Sequence, residues 1–569
     1  MTYLDGVADR MAAGEGSRLS PELTARYRDR GQWREVDVAR YLADALQQAP
    51  DRPAAVGLDG NGDLVRRLTY SELDDLSRRL ATGLRALGVG SGDTVSVMLS
   101  NRVEFPALVF AITRLGAVYS GIPVTYGRHE VAFMLGRART KVLVVVASHG
   151  RQDLVEVARR AREDNPHVEH VVVLDGAAPT GPGWTTFDGL AAHPPIEDEP
   201  PVDPGRIAFI GFTSGTTNEP KAVVHIHRTV DALVRAWPEH LGPDSLGNPL
   251  VNLVMSPVGH GTGFYWGVLM TTMLAGTGVY LERWSPRAGL RALREQQVTA
   301  MVGSPTFLAD LLDEEGADAA NLPHLTLVSI PGAPIPRSLV PRGRIQLGTS
   351  VLPSWGMTEC GIGISATPSL PRERMEQTDG VAVDGFEARV VGADDSALPA
   401  GQEGDLQVRG PGLFVGYLDR ADFTAEAFTT DGWFRTGDRG RIDDDGMVTL
   451  LGRTKDIIIR GGENIPVVAI EDLLYRHPAV TDAAVVGVPD PRLGERAEAI
   501  VSLRGGQTVT LDDICDFLLQ MGLSKRFLPE GLTVLAEMPK TMSGKIRKVD
   551  LRQSLADRAE GPPAPATKA

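Results

Sequence analysis

The sequence predicts an α/β protein with a large N-terminal domain of parallel α/β sheets, a β-rich subdomain and a small α+β C-terminal domain. Two hydrophobic periods alternate along most of the 569 residues, as expected when strands and helices follow one another. Between residues 381 and 451 the chain is rich in Gly, Asp and short alternating strands, which indicates the β-rich subdomain. A new helix-and-strand pattern after residue 452 indicates the small domain.

The large domain begins with a clear helix signal. The helix starts near Thr69 or Ser71 and stops at Gly88. One of its faces carries leucines: Leu73, Leu76, Leu80, Leu84 and Leu87. The segments that follow are predicted as the strand 94–99, the helix 105–115, the strand 141–146, the helix 154–162 and the strand 170–174. Because helices separate these apolar strands, we expect them to form a parallel sheet.

The remaining predicted elements lie in the β-rich subdomain, the small domain and the tail. In the β-rich part, the segment 404–409 alternates as a strand. In the small domain, we expect a helix near 470–475, a strand at 483–488 and a helix at 511–521. The last residues, 558–569, are predicted to be a disordered tail because they end in a Pro- and Ala-rich stretch.

Composition excludes several classes of protein. The 58 Lys and Arg residues against 73 Asp and Glu leave a net charge of −15, so no global basic surplus favours nucleic acid or an anionic membrane. Cys360 and Cys515 are the only cysteines, too few and too far apart for a disulfide framework or a thiolate zinc site. No apolar run reaches about 18 residues, and the first residues lack a signal-peptide pattern, so we expect a cytoplasmic protein.

The first chemical signal is a hydroxyl-rich loop after the apolar strand 207–210. Its hydroxyls, glycine and lysine can surround phosphate oxygens with N–H groups, O–H donors and one cation. It lacks the second glycine of a Walker A loop, and a polar turn that caps a helix is the alternative interpretation. The residues concerned are Thr213, Ser214, Gly215, Thr216, Thr217 and Lys221.

Two further motifs suit a nucleotide. Trp355, Gly356, Thr358 and Glu359 combine a stacking plane, a hydroxyl for phosphate and a carboxylate for Mg²⁺. Asp438, at the end of the segment 431–438, can accept two ribose hydroxyls. Taken alone, the first motif is a weak signal, because a buried tryptophan beside a helix cap is common, and the second favours an aspartate in a tight turn.

Two lysines are set among turn-forming residues. Lys455 lies in the segment 452–465 and Lys545 in the segment 539–545. Turn-forming residues favour exposed, movable segments, and a lysine on such a segment can deliver its charge when the loop closes. A solvated surface lysine is the alternative.

Together and in this order, the motifs resemble the adenylate-forming superfamily of acyl-CoA and aryl-CoA synthetases, peptide-synthetase adenylation domains and firefly luciferase. The resemblance runs from about Leu68 to Lys548 and is strongest to AMP-forming acid-CoA ligases, including those that act on cyclic or aromatic acids. It implies ATP, Mg²⁺ and CoA, and an acid that is first joined to AMP with release of pyrophosphate. It also implies a monomer or homodimer whose small domain is mobile.

The resemblance assigns the nucleotide-binding residues. The loop from Thr213 to Lys221 would hold the β- and γ-phosphates, Thr358 the α-phosphate and Glu359 the Mg²⁺. Asp438 and Arg453 would bind the ribose. The residues expected to enclose adenine are Gly332, Ala333, Pro334 and Trp355.

The resemblance also divides the chain. A large domain of residues 1–452 is joined through a hinge at 453–455, centred on Lys455, to a small domain of residues 456–557. Lys545 would neutralise the reacting carboxylate and phosphate oxygens. Rotation at the hinge would then present Arg460, Gly461 and Gly462 to CoA.

The expected acid pocket is short and aromatic. His260 matches the gate residue of the family, and Cys360 is interpreted as a small buried apolar residue. Three successive aromatic residues favour a compact cyclic or aromatic acid, with core packing as the alternative. His225 and His227 are interpreted as structural. The pocket residues are His260, Phe264, Tyr265, Trp266, Ser304, Thr306 and Gly361.

Other functions remain open at this point. Asn218 and Ala222 replace two glycines that the family usually has in its phosphate loop, which suggests altered phosphate handling. The acyl group could pass to a carrier-protein thiol or an amine instead of CoA. Another oxyanion, such as nitrite, could replace the carboxylate and react with an aromatic amine. A nucleotide-binding protein without catalysis is the fourth hypothesis.

Overall fold

This computed structural model describes most of the chain. The described residues are 4, 6–7, 20–213, 220–242, 244–460, 463–490, 492–541 and 543–560. The predicted tail from 561 to 569 and the loop from 214 to 219 lie outside these residues.

One sheet of the large domain contains eight strands within the described residues. Its central strands pair in parallel, and their side chains are buried on both faces, as expected for a sheet covered by helices. In spatial order the strands are Gly416–Tyr417, Lys221–Ile226, Ile207–Thr213, Val118–Gly121, Thr94–Met98, Thr140–Val146, His170–Leu174 and Trp184–Thr186.

A second sheet of the described residues contains nine strands. Its middle strands are also parallel. The Trp355 motif lies at the carboxyl end of one of them, Ser350–Met357. In spatial order the strands are Val381–Ala382, Gly361–Ser365, Ser350–Met357, Leu327–Ile330, Ala300–Val302, Val251–Val254, Thr277–Leu281, Pro53–Leu58 and Leu64–Thr69.

Helices cover these sheets. The helix Tyr70–Ala86 begins with a capping box in which Thr69 and Glu72 exchange hydrogen bonds. The helix Glu104–Arg114 is buried along its whole length, and its Arg114 guanidinium pairs with Asp74. The other helices of the large domain are Pro21–Asp29, Arg40–Gln48, Arg128–Arg137, Leu154–Glu163, Phe187–Ala191, His227–Leu241, Gly263–Met270, Thr271–Met273, Pro286–Glu295, Pro305–Leu312, Leu339–Leu347, Arg372–Gln377 and Ala421–Ala427.

The predicted β-rich region forms an antiparallel sheet of four strands in the described residues. They are Glu387–Val391, Gly404–Arg409, Phe434–Ile442 and Val448–Arg453. After Arg453 the chain makes one short 3₁₀ turn, Thr454–Asp456, and enters a different sheet at Ile458. The change of sheet therefore falls at the predicted hinge.

The small domain has its own sheet and apolar core. Its described strands are Glu463–Ile465, Ile458–Arg460, Gly494–Leu503, Val480–Asp490 and Gly531–Leu535. Its helices are Val467–Tyr475, Leu511–Gln520, Lys525–Phe527 and Lys548–Glu560. A hydrophobic cluster that includes Ile470, Val485 and Ile514 lies within this sheet and its helices, as expected for a separate folding unit.

Polar contacts join the two parts of the chain. The Arg337 N–H donates to Asp472 Oδ1 at 2.6 Å, and the Thr306 hydroxyl donates to the Gly544 carbonyl at 2.7 Å. The second bond places Gly544, next to Lys545, against the helix Pro305–Leu312, which follows the carboxyl end of the parallel strand Ala300–Val302.

The α/β prediction is confirmed, and one predicted boundary shifts. The last helix runs to Glu560, so the first three residues of the predicted tail, 558–560, are helical. Residues 558–560 are Arg, Ala and Glu, which favour helix, and the helix breakers begin only at Gly561 and Pro562. Among the described residues, every helix is too short or too polar to cross a membrane.

Candidate active site

A buried carboxylate holds the predicted stacking residue. Asp438 lies on the strand Phe434–Ile442, and its Oδ2 accepts a hydrogen bond of 2.9 Å from Trp355 Nε1. Its Oδ1 lies 3.3 Å from Arg453 Nε on the neighbouring strand. Burial raises the pKa of Asp438, while Arg453 and the Trp355 hydrogen bond oppose that rise. The predicted ribose and adenine residues are thus brought together.

The turn after Trp355 is fixed by buried donors. The Thr358 carbonyl lies 2.9 Å from His225 Nε2 and accepts a 3.1 Å hydrogen bond from the Tyr265 hydroxyl. The Glu359 carbonyl accepts a 2.7 Å hydrogen bond from Phe414 N–H. Thr358 and Glu359 therefore have a backbone position set by three separate elements, as an active-site turn requires.

The two carboxylate oxygens of Glu359 have different environments. Oε1 accepts a 3.0 Å hydrogen bond from the Tyr417 hydroxyl, whereas Oε2 is buried without a hydrogen-bond partner among the described residues. Burial raises the pKa of Glu359, while Tyr417, Arg453 and Lys221 lower it. A buried oxygen without a donor suits a hard cation, so Glu359 fits the Mg²⁺ that the resemblance implies.

The phosphate-loop prediction can be followed only at its two ends. Thr213 and Lys221 pair across the antiparallel strands Ile207–Thr213 and Lys221–Ile226. The Lys221 ammonium lies 4.7 Å from the ring centroids of both Tyr417 and Phe423. The predicted loop residues between the two strands lie outside the described residues: Ser214, Gly215, Thr216, Thr217 and Asn218.

The loop that carries Lys545 is seated on the large domain. Gly544 has φ +79°, and a Cβ at this position would lie 2.7 Å from Ser304 Oγ and 2.9 Å from Thr306 Cβ. Thr306 donates its hydroxyl to the Gly544 carbonyl, and Ser304 Oγ is buried without a hydrogen-bond partner among the described residues. Ser304 and Thr306, predicted as acid-pocket residues, thus lie against the lysine loop.

The Lys545 ammonium shares this cleft with charged and titratable groups. Burial and the positive charge of Arg453 lower the pKa of Lys545 to about 8, while Asp438 and Asp456 oppose that shift. Burial and the charge of Lys545 lower the pKa of His260 to about 4. His260 is therefore neutral at pH 7, and its Nδ1 accepts from Thr262 N–H at 3.4 Å, which leaves Nε2 as the donor.

The three aromatic residues of the predicted acid pocket, Phe264, Tyr265 and Trp266, are buried against other aromatic side chains. Phe264 stacks on Tyr119 at 4.6 Å and on Phe209 at 4.7 Å between ring centroids. Trp266 lies near Gly361, where an added Cβ would be 3.4 Å from the indole ring. All eight residues of the π-helix Gly263–Met270 are buried, so core packing, the alternative interpretation, accounts for the burial of the three aromatic residues.

The remaining predicted positions divide into two groups. Gly332 is exposed with φ +93°, and Ala333 and Pro334 follow it at the end of the strand Leu327–Ile330, on the same edge as Trp355. Arg460 is bound within the small domain, to Glu530 and to the Leu528 carbonyl at 3.1 Å.

Three further predictions concern the hinge and the second substrate. Gly461 and Gly462 are outside the described residues, and Lys455 is placed by its backbone in the 3₁₀ turn. Their roles stay predictions.

Three residues interpreted as structural are buried in hydrogen-bonded or apolar surroundings. Cys360 is fully buried, and burial raises the pKa of its thiol. His227 Nδ1 accepts from Val38 N–H at 3.2 Å, and His225 contacts Thr229 as well as Thr358. Among the described residues, no group of three or more His, Cys, Asp or Glu side chains is placed to hold a metal ion.

Sequence reasoning did not identify the groups that hold this site together. Three contacts form only when distant segments fold together. They are those of Tyr417 with Glu359, of His225 with Thr358, and of Gly544 with Ser304 and Thr306. The sole local signal is the Gly416–Tyr417 pair at the end of an apolar run, and it does not indicate contact with Glu359.

Comparison with known proteins gives two family matches in chain order. Residues 42–418 match the AMP-binding enzyme family, and residues 469–545 match the AMP-binding enzyme C-terminal domain. The first match ends just after Tyr417, and the second ends at Lys545.

Individual proteins match over nearly the whole chain. A medium-chain fatty-acid–CoA ligase of Escherichia coli (strain K12) is 32% identical over 541 residues, covering 95% of this chain and 94% of that protein. A salicylyl-CoA synthase / salicylate adenylyltransferase of Streptomyces sp is 33% identical, covering 95% and 97%. The solved structure of the amide bond synthetase McbA from Marinactinospora thermotolerans superimposes with a TM-score of 0.78 at 28% identity, covering 91% and 100%.

Proposed function

This chain belongs to the AMP-binding enzyme family, and from that premise we propose that it joins a compact cyclic or aromatic carboxylic acid to CoA. The family proceeds through an acyl-adenylate. The acid class, CoA as the acceptor and the residue roles below are proposals for this chain.

The observation that carries the proposal is the position of Lys545 against the large domain. Its loop is hydrogen-bonded to Thr306, and its charge acts on both His260 and Asp438. A residue near the C-terminus thereby shares one cleft with the groups proposed to hold the ribose and the acid. This is the arrangement expected for the first of two half-reactions.

In that first step, a carboxylate oxygen of the acid attacks the α-phosphorus of ATP. The new O–P bond forms as the bond to pyrophosphate breaks, and acyl-AMP remains. The Lys545 ammonium offsets the negative charges that approach one another, and neutral His260 can donate from Nε2 to the acid. Thr213, Lys221 and Thr358 would bind phosphate oxygens.

Glu359 would hold Mg²⁺ through Oε2, the oxygen without a hydrogen-bond partner among the described residues. When bound, the ion supplies positive charge that offsets the charge of the departing pyrophosphate. Asp438 would bind the ribose hydroxyls, while Trp355 and the segment 332–334 enclose adenine.

In the second step, the thiolate of CoA attacks the acyl carbonyl carbon. The thiol proton passes to solvent as the thiolate forms; a C–S bond then forms as the C–O bond to AMP breaks. Turning of the small domain about Lys455 would withdraw Lys545 and bring the segment 460–462 to the cleft.

Two observations support a compact acid. Phe264, Tyr265 and Trp266 are all buried, and Gly361 lies directly against Trp266 and Leu233. Neighbouring rings of this set are tilted by 49° and 68° to one another at centroid distances of 5.5 and 6.2 Å, so together they fill space that an open tunnel for a long chain would need. Of the Streptomyces and Escherichia coli relatives, the first is named for salicylate, an aromatic acid, and the second for medium-chain fatty acids.

The experiment is a pyrophosphate-release screen of short-chain, medium-chain, cyclic, aromatic and inorganic acids with ATP and Mg²⁺. Each acid is tested with CoA, with an aromatic amine and with no acceptor. We expect the highest kcat/KM for a cyclic or aromatic acid with CoA. A preference for medium-chain acids would contradict the acid class, and turnover that depends on the amine instead of CoA would contradict the acceptor.

The pH dependence follows from Lys545. With a pKa of about 8, this side chain loses its charge as pH rises, so kcat/KM for adenylate formation should fall above pH 8 by about tenfold per unit. His260, with a pKa of about 4, stays neutral from pH 5 upward and adds no change there. The measurement is the pH profile of kcat/KM in the first half-reaction.

The matched variant for this profile is Lys545→Arg, because its guanidinium stays charged throughout the range. We expect a lower rate whose alkaline decline is absent below pH 10. An alkaline decline at the same pH in both proteins would show that another group titrates.

A further inference from the structure

Tyr417 belongs to the same sheet edge as the phosphate-loop lysine. Its short strand pairs with Lys221–Ile226, in a register that sets Tyr417 opposite Val223. The next residue, Leu418, donates its N–H to the Ala222 carbonyl at 2.9 Å. The backbone of Tyr417 is thus fixed relative to the strand that begins with Lys221.

The hydroxyl of Tyr417 forms a hydrogen bond with the side chain of Glu359. It donates to Glu359 Oε1 at 3.0 Å, and three residues earlier the Phe414 N–H donates to the Glu359 carbonyl at 2.7 Å. One short segment therefore fixes both the main chain and the side chain of Glu359. Because Oε1 is occupied, Oε2 is the oxygen left without a hydrogen-bond partner among the described residues.

The ring of Tyr417 acts on Lys221. The ammonium lies 4.7 Å from its centroid and 4.7 Å from that of Phe423, on the helix Ala421–Ala427. Both distances are within the range of cation–π attraction, which favours a particular direction for a flexible lysine. The hydroxyl and the ring of one side chain therefore contact two groups of opposite charge.

We infer that Tyr417 is a positioning residue that orients Glu359 toward the metal through its hydroxyl and Lys221 toward the phosphates through its ring. This inference rests on the proposed function and extends it, because it names what sets the geometry of the metal–triphosphate part of the site. Tyr417 touches neither reacting atom and acts through the two side chains it contacts.

The two contacts can be separated by substitution. Tyr417→Phe keeps the ring and removes the hydroxyl, so it should weaken only the part of nucleotide binding that depends on the metal. Loss of a hydrogen bond to a charged group corresponds to about a tenfold change in an equilibrium constant. We expect the Kd of α,β-methylene-ATP to rise about tenfold in Mg²⁺ and to stay within about twofold in EDTA.

Substitution of the second ring should weaken nucleotide binding equally with and without the metal. Phe423→Leu leaves the Tyr417 hydroxyl in place and removes half of the aromatic surface around Lys221. The Kd should rise about threefold both in Mg²⁺ and in EDTA. Tyr417→Leu removes both contacts and should combine the two effects.

The matched control is Tyr70→Phe, which also loses a buried tyrosine hydroxyl. Tyr70 donates to the Gly276 carbonyl at 2.6 Å, on an element that carries none of the proposed site residues. Titration calorimetry of all four variants, with melting temperatures recorded alongside, gives the readout. Unchanged Kd in Tyr70→Phe with the metal-selective loss in Tyr417→Phe supports the inference.

Two results would overturn the inference while leaving the proposed function intact. One is a Tyr417→Phe protein that binds in Mg²⁺ as the unsubstituted protein does. The other is an equal loss in Mg²⁺ and in EDTA for Tyr417→Phe. Absence of any nucleotide binding by the unsubstituted protein would overturn the proposed function itself, and the inference with it.

Discussion

Replacement of Lys545 by alanine is expected to slow acyl-adenylate formation by at least about 10²–10³-fold. The ammonium is the proposed source of positive charge where the carboxylate meets the α-phosphate, and water cannot replace a preorganised cation in a closed cleft. The affinity for ATP should change much less, since Lys221, Glu359 and Asp438 remain. Single-turnover measurement of acyl-AMP, with nucleotide titration, separates the two quantities.

Lys540→Ala is the control for this variant. Lys540 lies five residues earlier in the same segment, but its ammonium pairs with Asp482 at 2.8 Å, inside the small domain. We expect it to retain adenylation. Thioester formation from supplied acyl-AMP should survive in both variants, because Lys545 is proposed to have left the cleft by then. Near-normal adenylation by Lys545→Ala would exclude its proposed role.

Gly544→Ala is expected to reduce adenylation by about hundredfold although it removes no functional group. The new Cβ would lie 2.7 Å from Ser304 Oγ and 2.9 Å from Thr306 Cβ, so the loop must move away from the large domain. A displacement of about 1 Å can cost 10²-fold in rate when reacting groups must be aligned. The measurement is again single-turnover acyl-AMP formation.

The chain provides a matched control for the backbone strain of this change. Gly522 has φ +89°, similar to Gly544, and nothing within 4 Å of an added Cβ. Gly522→Ala therefore introduces the same kind of strain without the contact, and adenylation should persist. Equal losses in the two variants would assign the effect to strain in the small domain and not to docking of the Lys545 loop.

The fold was largely predictable because its signals are local. The apolar strand His170–Leu174 and the helix Tyr70–Ala86 are specified by periodicity and by a cap within a few residues of their ends. The α/β class and the β-rich region are confirmed for the same reason. The last helix differs from its prediction because helix formers continue up to Gly561, whereas the tail was placed from composition.

The candidate site was only partly predictable. Trp355 and Asp438 are joined by one hydrogen bond, although 83 positions separate them and neither motif alone indicates the other. Gly544 was absent from the predicted site residues because its importance comes from contact with Ser304 and Thr306. Such contacts depend on how two separate parts of the chain dock, which periodicity and turn chemistry do not specify.

The most direct test of adenylate chemistry follows one oxygen atom. The acid that gives the highest activity is prepared with ¹⁸O in both carboxylate positions and incubated with ATP, Mg²⁺ and CoA. If the carboxylate attacks the α-phosphorus, cleavage of acyl-AMP leaves one ¹⁸O in AMP, which mass spectrometry detects. AMP without the label, or label found in inorganic phosphate beside ADP, would contradict the account.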